Sequence, residues 1–530
     1  MNYYFQKSME MLFNNDNKCL TENGAISNAT TFNNNLDYFA KMIRGINEVN
    51  SIRLFSNAYD EDKLLALKNL FHARDIRGGS GERTIFRTQM KWLIENHPLV
   101  AQYNMKHIYT YGRWDDIIVC FMGTELEKTM LDLICNQLET DIINKKEEKG
   151  TSLLAKWLPS ENSSLDRSLK GAFRKIANNM NISYKDLRKV YITPLRNYID
   201  IVETKMSGKR WEEINLEHVP SQAMKHLKNA FEKNCPQWDE YVENLGNNKA
   251  KINTSTLNPH EIVGEYLKTI HGGSYGYGYS HNNETCIINP ILEKQWENMV
   301  DDVKKMGSLG KSIVMSDTSG SMMGDDAIKV SLALGLIISK CTSEAFKNLI
   351  ITFETQSHFV RVPDETLLSS LQFLTNSEKF PWGGTTNFQC AFDNILKHAR
   401  EYVYPDKTVG LKQEDMPEKL FVISDMQFNA TSNKYSSNYE KIKRKYHKYG
   451  YKIPQIIFWN VRANTKDFPV TIRDDNTALI SGFSTSILKS VLEGSDISPL
   501  GVMLRTLENE RYDAISLPEN LEQLDLGNVD

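Results

Sequence analysis

The seven cysteines of this 530-residue chain (19, 120, 135, 235, 286, 341 and 390) are scattered, and no C-x-x-C pair occurs anywhere. That excludes a disulfide framework and a zinc ribbon or finger, and it fits a reducing compartment. Long apolar runs are missing too. None approaches the roughly 18–20 residues a helix needs to cross a bilayer. The opening residues, MNYYFQKSMEMLFNN, lack the basic flank and apolar core of a secretory signal. The expectation is a soluble, cytoplasmic protein with no membrane partner. Charge of one sign is not in excess either. The formal charge is −4, and residues 301–530 hold 26 Lys+Arg against 30 Asp+Glu, which leaves residues 1–300 neutral. A nucleic-acid site would have to be a local patch rather than a basic domain. What is present is ordinary globular composition, 40% hydrophobic and 25% charged, with length for two to four domains.

The pattern changes along the chain. Residues 1–35 are Asn-rich and read as a poorly ordered lead-in. Residues 36–300 carry helix-period segments. Asp60–Arg74 puts Leu64, Leu67, Leu70 and Phe71 on one stripe, and Thr84–Glu95 does so with Phe86, Met90 and Leu93. Further helices are expected at about 99–111, 115–145, 166–178, 184–206, 221–233 and 258–270. Such a run of helices with short breaks predicts an all-α, repeat-like domain. From 305 to 495 strands alternate with helices. Strands are expected at 312–316, 348–354, 357–362, 419–424, 454–460 and 478–481, with helices between. That is a doubly wound, mostly parallel α/β sheet. The 348–354 and 357–362 pair is too close for a crossover and must be a hairpin at an edge. A helix and tail, 496–530, close the chain.

Three motifs are decoys. His271–Ser280, HGGSYGYGYS, has no preceding strand and reads as a connector, with base stacking by its tyrosines the alternative. Gly310-Lys311-Ser312 lacks the upstream glycine of a phosphate loop and precedes a strand. His260-Glu261 has Gly264, not histidine, four residues after His260.

The chemistry is concentrated in Lys311–Gly324, KSIVMSDTSGSMMG. An apolar run ends in Asp317-Thr318-Ser319-Gly320-Ser321, and an apolar helical segment follows. One carboxylate and two hydroxyls on alternate residues can aim three oxygens at a hard cation. A polar turn with serine capping the helix is the plainer reading. Two later stretches weigh against it. Pro381–Phe388, PWGGTTNF, is a glycine loop ending in Thr-Asn at a helix start. Leu420–Asp425, LFVISD, is a second buried strand ending in a carboxylate.

D-x-S-x-S, then Gly-Gly-x-Thr-Asn, then strand-Ser-Asp resembles the metal-ion-dependent adhesion site (MIDAS) of von Willebrand factor A domains, over about residues 305–495. The resemblance implies Asp317, Ser319 and Ser321 as first-loop ligands, Thr386 (rather than Thr385) from the second loop and Asp425 from the third. It implies Mg²⁺ or Mn²⁺ with an open position that a partner's carboxylate completes. Met426 departs from the pattern, standing where many members have glycine. No nucleophile–base pair accompanies these residues, so recognition rather than catalysis is expected, with metal-assisted hydrolysis the remote alternative.

Thr21–Ala25, Arg74–Arg87, Tyr111–Asp116 and Val219–Met224 resemble the landmarks of an uncharacterised family of plants, fungi and large DNA viruses. That family joins a helical region to a von Willebrand A-like domain. Its architecture is similar to the Ro ribonucleoprotein, which implies RNA as a ligand of the helical part. Arg74, Arg77, Arg83 and Arg87 flank the glycines 78, 79 and 81 and could hold phosphates, with Arg113 beside Trp114 as a base-stacking pair. The competing readings are that Glu82 and Asp75 neutralise the arginines, and that Trp114 is core. Two functions are therefore expected: Ro-like RNA binding with a cation site in the A-like domain, or cation-dependent capture of an acidic protein partner without RNA.

Overall fold

Six apolar runs after residue 311 assemble into one sheet, and their burial explains why. All of Ser312–Ser316 (β3), Leu349–Thr352 (β4) and Lys419–Ser424 (β6) is buried, as strands covered on both faces must be. With Phe359–Arg361 (β5), Gln455–Asn460 (β7) and Thr477–Ser481 (β8), the order across the sheet is β5-β4-β3-β6-β7-β8. All neighbours are parallel except β4 and β5, the expected edge hairpin. A separate two-stranded ladder pairs Lys18–Leu20 (β1) with Ile26–Asn28 (β2). This computed structural model describes residues 17–519, apart from 23–25, 271–286, 307–308, 324–325, 354–356, 377–378, 381–387, 428–434, 464, 466 and 493–496.

The chain divides into two compact units, Met1–Asn47 with Leu257–Thr506, and Glu48–Thr256 with Leu507–Asp530. This partition cuts across the boundaries expected at 36, 300 and 496. The first unit is the sheet and its covering helices. On one face Ile313, Met315, Leu420, Val422, Ile456 and Phe458 meet Phe392, Ile395 and Tyr446, from helices Phe388–Glu401 and Tyr435–Lys448. On the other face lies helix Ala327–Lys340. A Cβ on its Gly335 would come 2.2 Å from the Ser316 Oγ. Only glycine lets this helix sit so close to the end of β3.

Segments outside 305–495 join this unit for identifiable reasons. The Ser481 hydroxyl donates to the Phe39 carbonyl (2.8 Å), and the Lys41 ammonium sits 3.7 Å over the Phe468 ring. Glu293 accepts from the N–H groups of Leu367 and Leu368, its carboxylate at the start of helix Leu367–Leu374.

The second unit is helical. Helix Lys63–Arg74 starts where Asp62 accepts from the Leu65 N–H, and Arg83–Asn96 follows it. Three helices expected from periodicity are broken, among them 184–206, which stops at Tyr198 and restarts at Val202 with Asp200 at φ 58° between. The 115–145 stretch forms Trp114–Phe121 and Glu127–Lys146, and 166–178 forms Ser164–Ser168 and Ala172–Asn179. Gly123 and Gly171, at φ 82° and 80°, turn the chain at the other two breaks, a backbone region that apolar periodicity does not register.

Candidate functional site

Parallel pairing aligns strand ends, and that is what brings the two acidic loops together. Ser316 pairs with Ile423 across β3 and β6, and the ladder runs one step further, the Asp317 N–H donating to the Ile423 carbonyl (2.9 Å). Asp317 and Asp425 thus stand side by side at the carboxyl end of the sheet, each only 1% exposed. One Asp317 oxygen accepts from the Ser424 hydroxyl (2.6 Å) and the other from the Ser319 N–H (2.8 Å). The Ser319 and Ser321 hydroxyls lie 3.0 Å apart. Thr386 lies outside the described residues.

Burial, and then the charge of Asp425, push the Asp317 carboxyl up to about 7, against the Ser424 and Ser319 hydrogen bonds that favour its ionised form. A cation would relieve that repulsion. Every side-chain donor here is oxygen, from carboxylate or hydroxyl, which suits Mg²⁺ or Mn²⁺ rather than a softer ion. Among the described residues no group of three or more His, Cys, Asp or Glu could hold a metal, so any ion here would rest on two carboxylates plus hydroxyls. Met426 takes φ 63°, the region that favours glycine. Its side chain is buried in the sheet core, an apolar gain that opposes the backbone strain.

Asp425 is held from the other side. One of its oxygens accepts from the Gln427 N–H (3.1 Å), the other from Arg462 Nη1 (3.2 Å). The same Nη1 lies 3.4 Å from the Glu22 carboxylate, and the Glu22 N–H donates to the Gln427 side chain (2.6 Å). Arg462 follows β7, whose end aligns with that of β6.

The arginine–glycine turn is built differently from either sequence reading. Asp116, fully buried, accepts from Arg74 Nε (2.8 Å) and Arg87 Nε (2.7 Å), with Arg74 Nη2 also 2.7 Å away. Asp115 takes Arg113 through both nitrogens (2.9 and 2.7 Å) and a second Arg87 nitrogen (2.9 Å). The neutralising pair is therefore Asp115–Asp116, not Asp75 and Glu82. Asp75 is instead claimed by Arg511 and Tyr512. The glycines serve this packing: a Cβ on Gly79 would lie 2.0 Å from the His72 carbonyl oxygen, and one on Gly78 would collide with Arg511. Trp114 is core, 2% exposed and stacked on Tyr109. Arg77 and Arg83 are exposed and make no ion pair among the described residues.

Residues 21–118 and 125–309, more than half the chain, match the family model of a domain of unknown function, DUF2828. The chain belongs to the DUF2828 family. Residues 311–515 match a second domain of unknown function, DUF7788. The chain is also similar to an uncharacterised protein of Acanthamoeba polyphaga mimivirus, 26% identical over 550 residues, covering 97% of this chain and 91% of that protein. A relative in a large DNA virus agrees with the family expected from the four landmarks.

In this DUF2828 protein the family-model boundary at 309–311 does not coincide with the compact units, since residues 257–309 pack in the unit that carries the sheet. The first landmark, Thr21–Ala25, contributes Glu22 to the rim of the paired carboxylates. Sequence reasoning missed Glu22, Gln427 and Arg462 as members of this site. The available signal was Arg462, a cationic residue directly after an apolar run parallel to the one ending in Asp425.

Proposed function

We propose that the sheet-bearing unit of this DUF2828 protein is a von Willebrand factor A-like recognition domain. It would bind Mg²⁺ or Mn²⁺ through Asp317, Ser319, Ser321 and Asp425, with Thr386 from the second loop, and present the cation to an acidic group of a protein partner. The observation that carries this is the pair of buried carboxylates at adjacent parallel strand ends, with the Ser319 and Ser321 hydroxyls in the loop that follows the first. The reading is non-enzymatic. The cation supplies an electrophilic position for a carboxylate, and the chain's own residues hold it and orient that position.

Titration calorimetry of the full chain with Mn²⁺ should show one site, weakened about 100-fold or lost in Asp317→Ala. A wild-type chain that takes up neither Mn²⁺ nor Mg²⁺ at millimolar concentration would sink the reading.

Ro-like RNA binding by the helical unit is the second reading. Its support is narrower, because Arg74, Arg87 and Arg113 are occupied by Asp115 and Asp116, leaving Arg77 and Arg83. Ultraviolet crosslinking in cells is expected to recover no RNA above background. Enriched RNA that disappears in Arg77→Glu/Arg83→Glu would reverse the order of the two.

A further inference from the structure

Arg462 is the one described side chain that brings formal positive charge against the paired carboxylates, and its placement is specific. Its own N–H is fixed by the Asn460 side chain (3.1 Å). Nη1 is shared between two carboxylates of opposite character: Asp425, buried, at 3.2 Å, and Glu22, mostly exposed, at 3.4 Å. The frame around the shared nitrogen is tied together. Gln427 donates its N–H to Asp425, accepts the Glu22 N–H and donates its side-chain amide to Asp467 (3.0 Å). Asp467 is itself buried, and its second oxygen has no hydrogen-bond partner among the described residues. Glu22 is thus pinned by its backbone at the spot where its carboxylate can receive the guanidinium.

A buried carboxylate without positive charge nearby is costly, so Arg462 compensates Asp425 when no cation is bound. A divalent cation on Asp425 would repel that guanidinium across a few ångströms of poorly screening interior. Nη1 already lies 3.2 Å from Asp425 and 3.4 Å from Glu22, so leaving the first for the second asks only for a small side-chain shift.

Resting on the cation-site reading above, we propose that Arg462 is a tethered counter-ion that competes with the divalent cation for Asp425 and is received by Glu22 when the cation binds. Arg462 and Glu22 thereby set the cation affinity of the site from outside its ligand set. They act in opposite directions, Arg462 lowering affinity and Glu22 raising it. Arg462 on Glu22 would then stand beside the bound cation as a second positive group for an arriving carboxylate.

The test is Mn²⁺ titration of the full chain by calorimetry, with Mn²⁺ electron paramagnetic resonance as a second readout, for wild type, Arg462→Met, Arg462→Lys and Glu22→Gln. Arg462→Met should bind Mn²⁺ about tenfold more tightly, since a competing charge is gone. Glu22→Gln, a change at an exposed side chain that leaves the fold intact, should weaken binding several-fold, because the guanidinium loses its alternative acceptor. Arg462→Lys keeps the charge and should stay close to wild type, which separates charge from side-chain packing. Wild-type binding with Arg462→Met unchanged or weaker, or with Glu22→Gln unchanged, overturns the counter-ion proposal and leaves the cation site standing. Absence of binding in wild type and Arg462→Met alike removes both. Binding that appears only in Arg462→Met removes the cation-site reading for the native chain, and the counter-ion proposal with it.

Discussion

Asp116→Ala should destabilise the protein by about 3–5 kcal/mol, the cost of leaving a buried charge unpaired. Asp116 is completely buried and accepts three hydrogen bonds, from Arg74 Nε, Arg87 Nε and the Arg113 N–H (2.9 Å), with Nη2 of both Arg74 and Arg87 also 2.7 Å away. Arg74 is only 2% exposed. Without Asp116 its guanidinium keeps its charge, has no route to water and faces the emptied space. Arg87 retains Asp115 and loses less. Asp116→Asn preserves volume but halves the acceptor capacity and removes the charge, so it should fall between wild type and alanine. Urea denaturation of the three proteins is the check, read from the midpoint at constant slope. Arg74→Met combined with Asp116→Ala should recover part of the loss, since apolar groups of similar size can replace a buried ion pair. A loss below about 1 kcal/mol in Asp116→Ala would mean that Arg74 finds another partner and that the clamp is not what closes this part of the helical unit.

Much of the sheet was readable because its signals are local. Ile313-Val314-Met315 and Leu420–Ile423 are apolar runs of strand length that end in polar turns, and both end in aspartate. Parallel strands separated by helices then force those aspartates to one edge of the sheet. The β4–β5 hairpin followed from loop length alone. What could not be read were partners chosen by three-dimensional proximity. Asp75 and Glu82 were nearest to the arginines along the chain, yet the acceptors are 29 and 42 residues away on another helix. Asp75 takes its own guanidinium, Arg511, from 436 residues away. Glu22 meets Arg462 across 440 residues. Helix ends at Gly123 and Gly171 were invisible to a reading based on apolar periodicity, which continues through a glycine in the left-handed region. The same limitation hid the grouping of residues 1–47 and 257–309 with the sheet. Periodicity identifies a helix but not the face of another element on which it lies.

Between pH 6.5 and 4 the protein should lose roughly 3 kcal/mol of stability through one histidine, and His72→Gln should remove that loss. His72 is buried on helix Lys63–Arg74, its Nδ1 3.0 Å from the Tyr512 hydroxyl. That hydroxyl donates to Asp75 (3.1 Å), which Arg511 also holds. Burial lowers the His72 pKa from its ordinary 6.5 to about 4; the charge of Asp75 opposes the shift and that of Arg511 adds to it. The unfolded chain therefore takes up a proton near pH 6.5 and the folded one only near pH 4. Between these values the unfolded state binds more protons, so stability rises with pH across the window and is fully present above it. Asp75 contributes in the same direction but lower on the scale. Burial raises its pKa, yet the hydrogen bonds from Arg511 and from the Arg77 and Gly78 N–H groups outweigh it, so its contribution disappears only below the ordinary carboxylate range. The comparison is made by urea unfolding at pH 7.0, about 5.5 and about 4.5. The difference between wild type and His72→Gln isolates the histidine, because every other titrating group is common to both. Glutamine retains a polar partner for Tyr512 without a proton to gain. A wild-type profile that runs parallel to that of His72→Gln would mean that the imidazole is charged in the fold. The hydrogen bond to Tyr512 is the same either way, Nδ1 donating to a hydroxyl whose own proton is committed to Asp75.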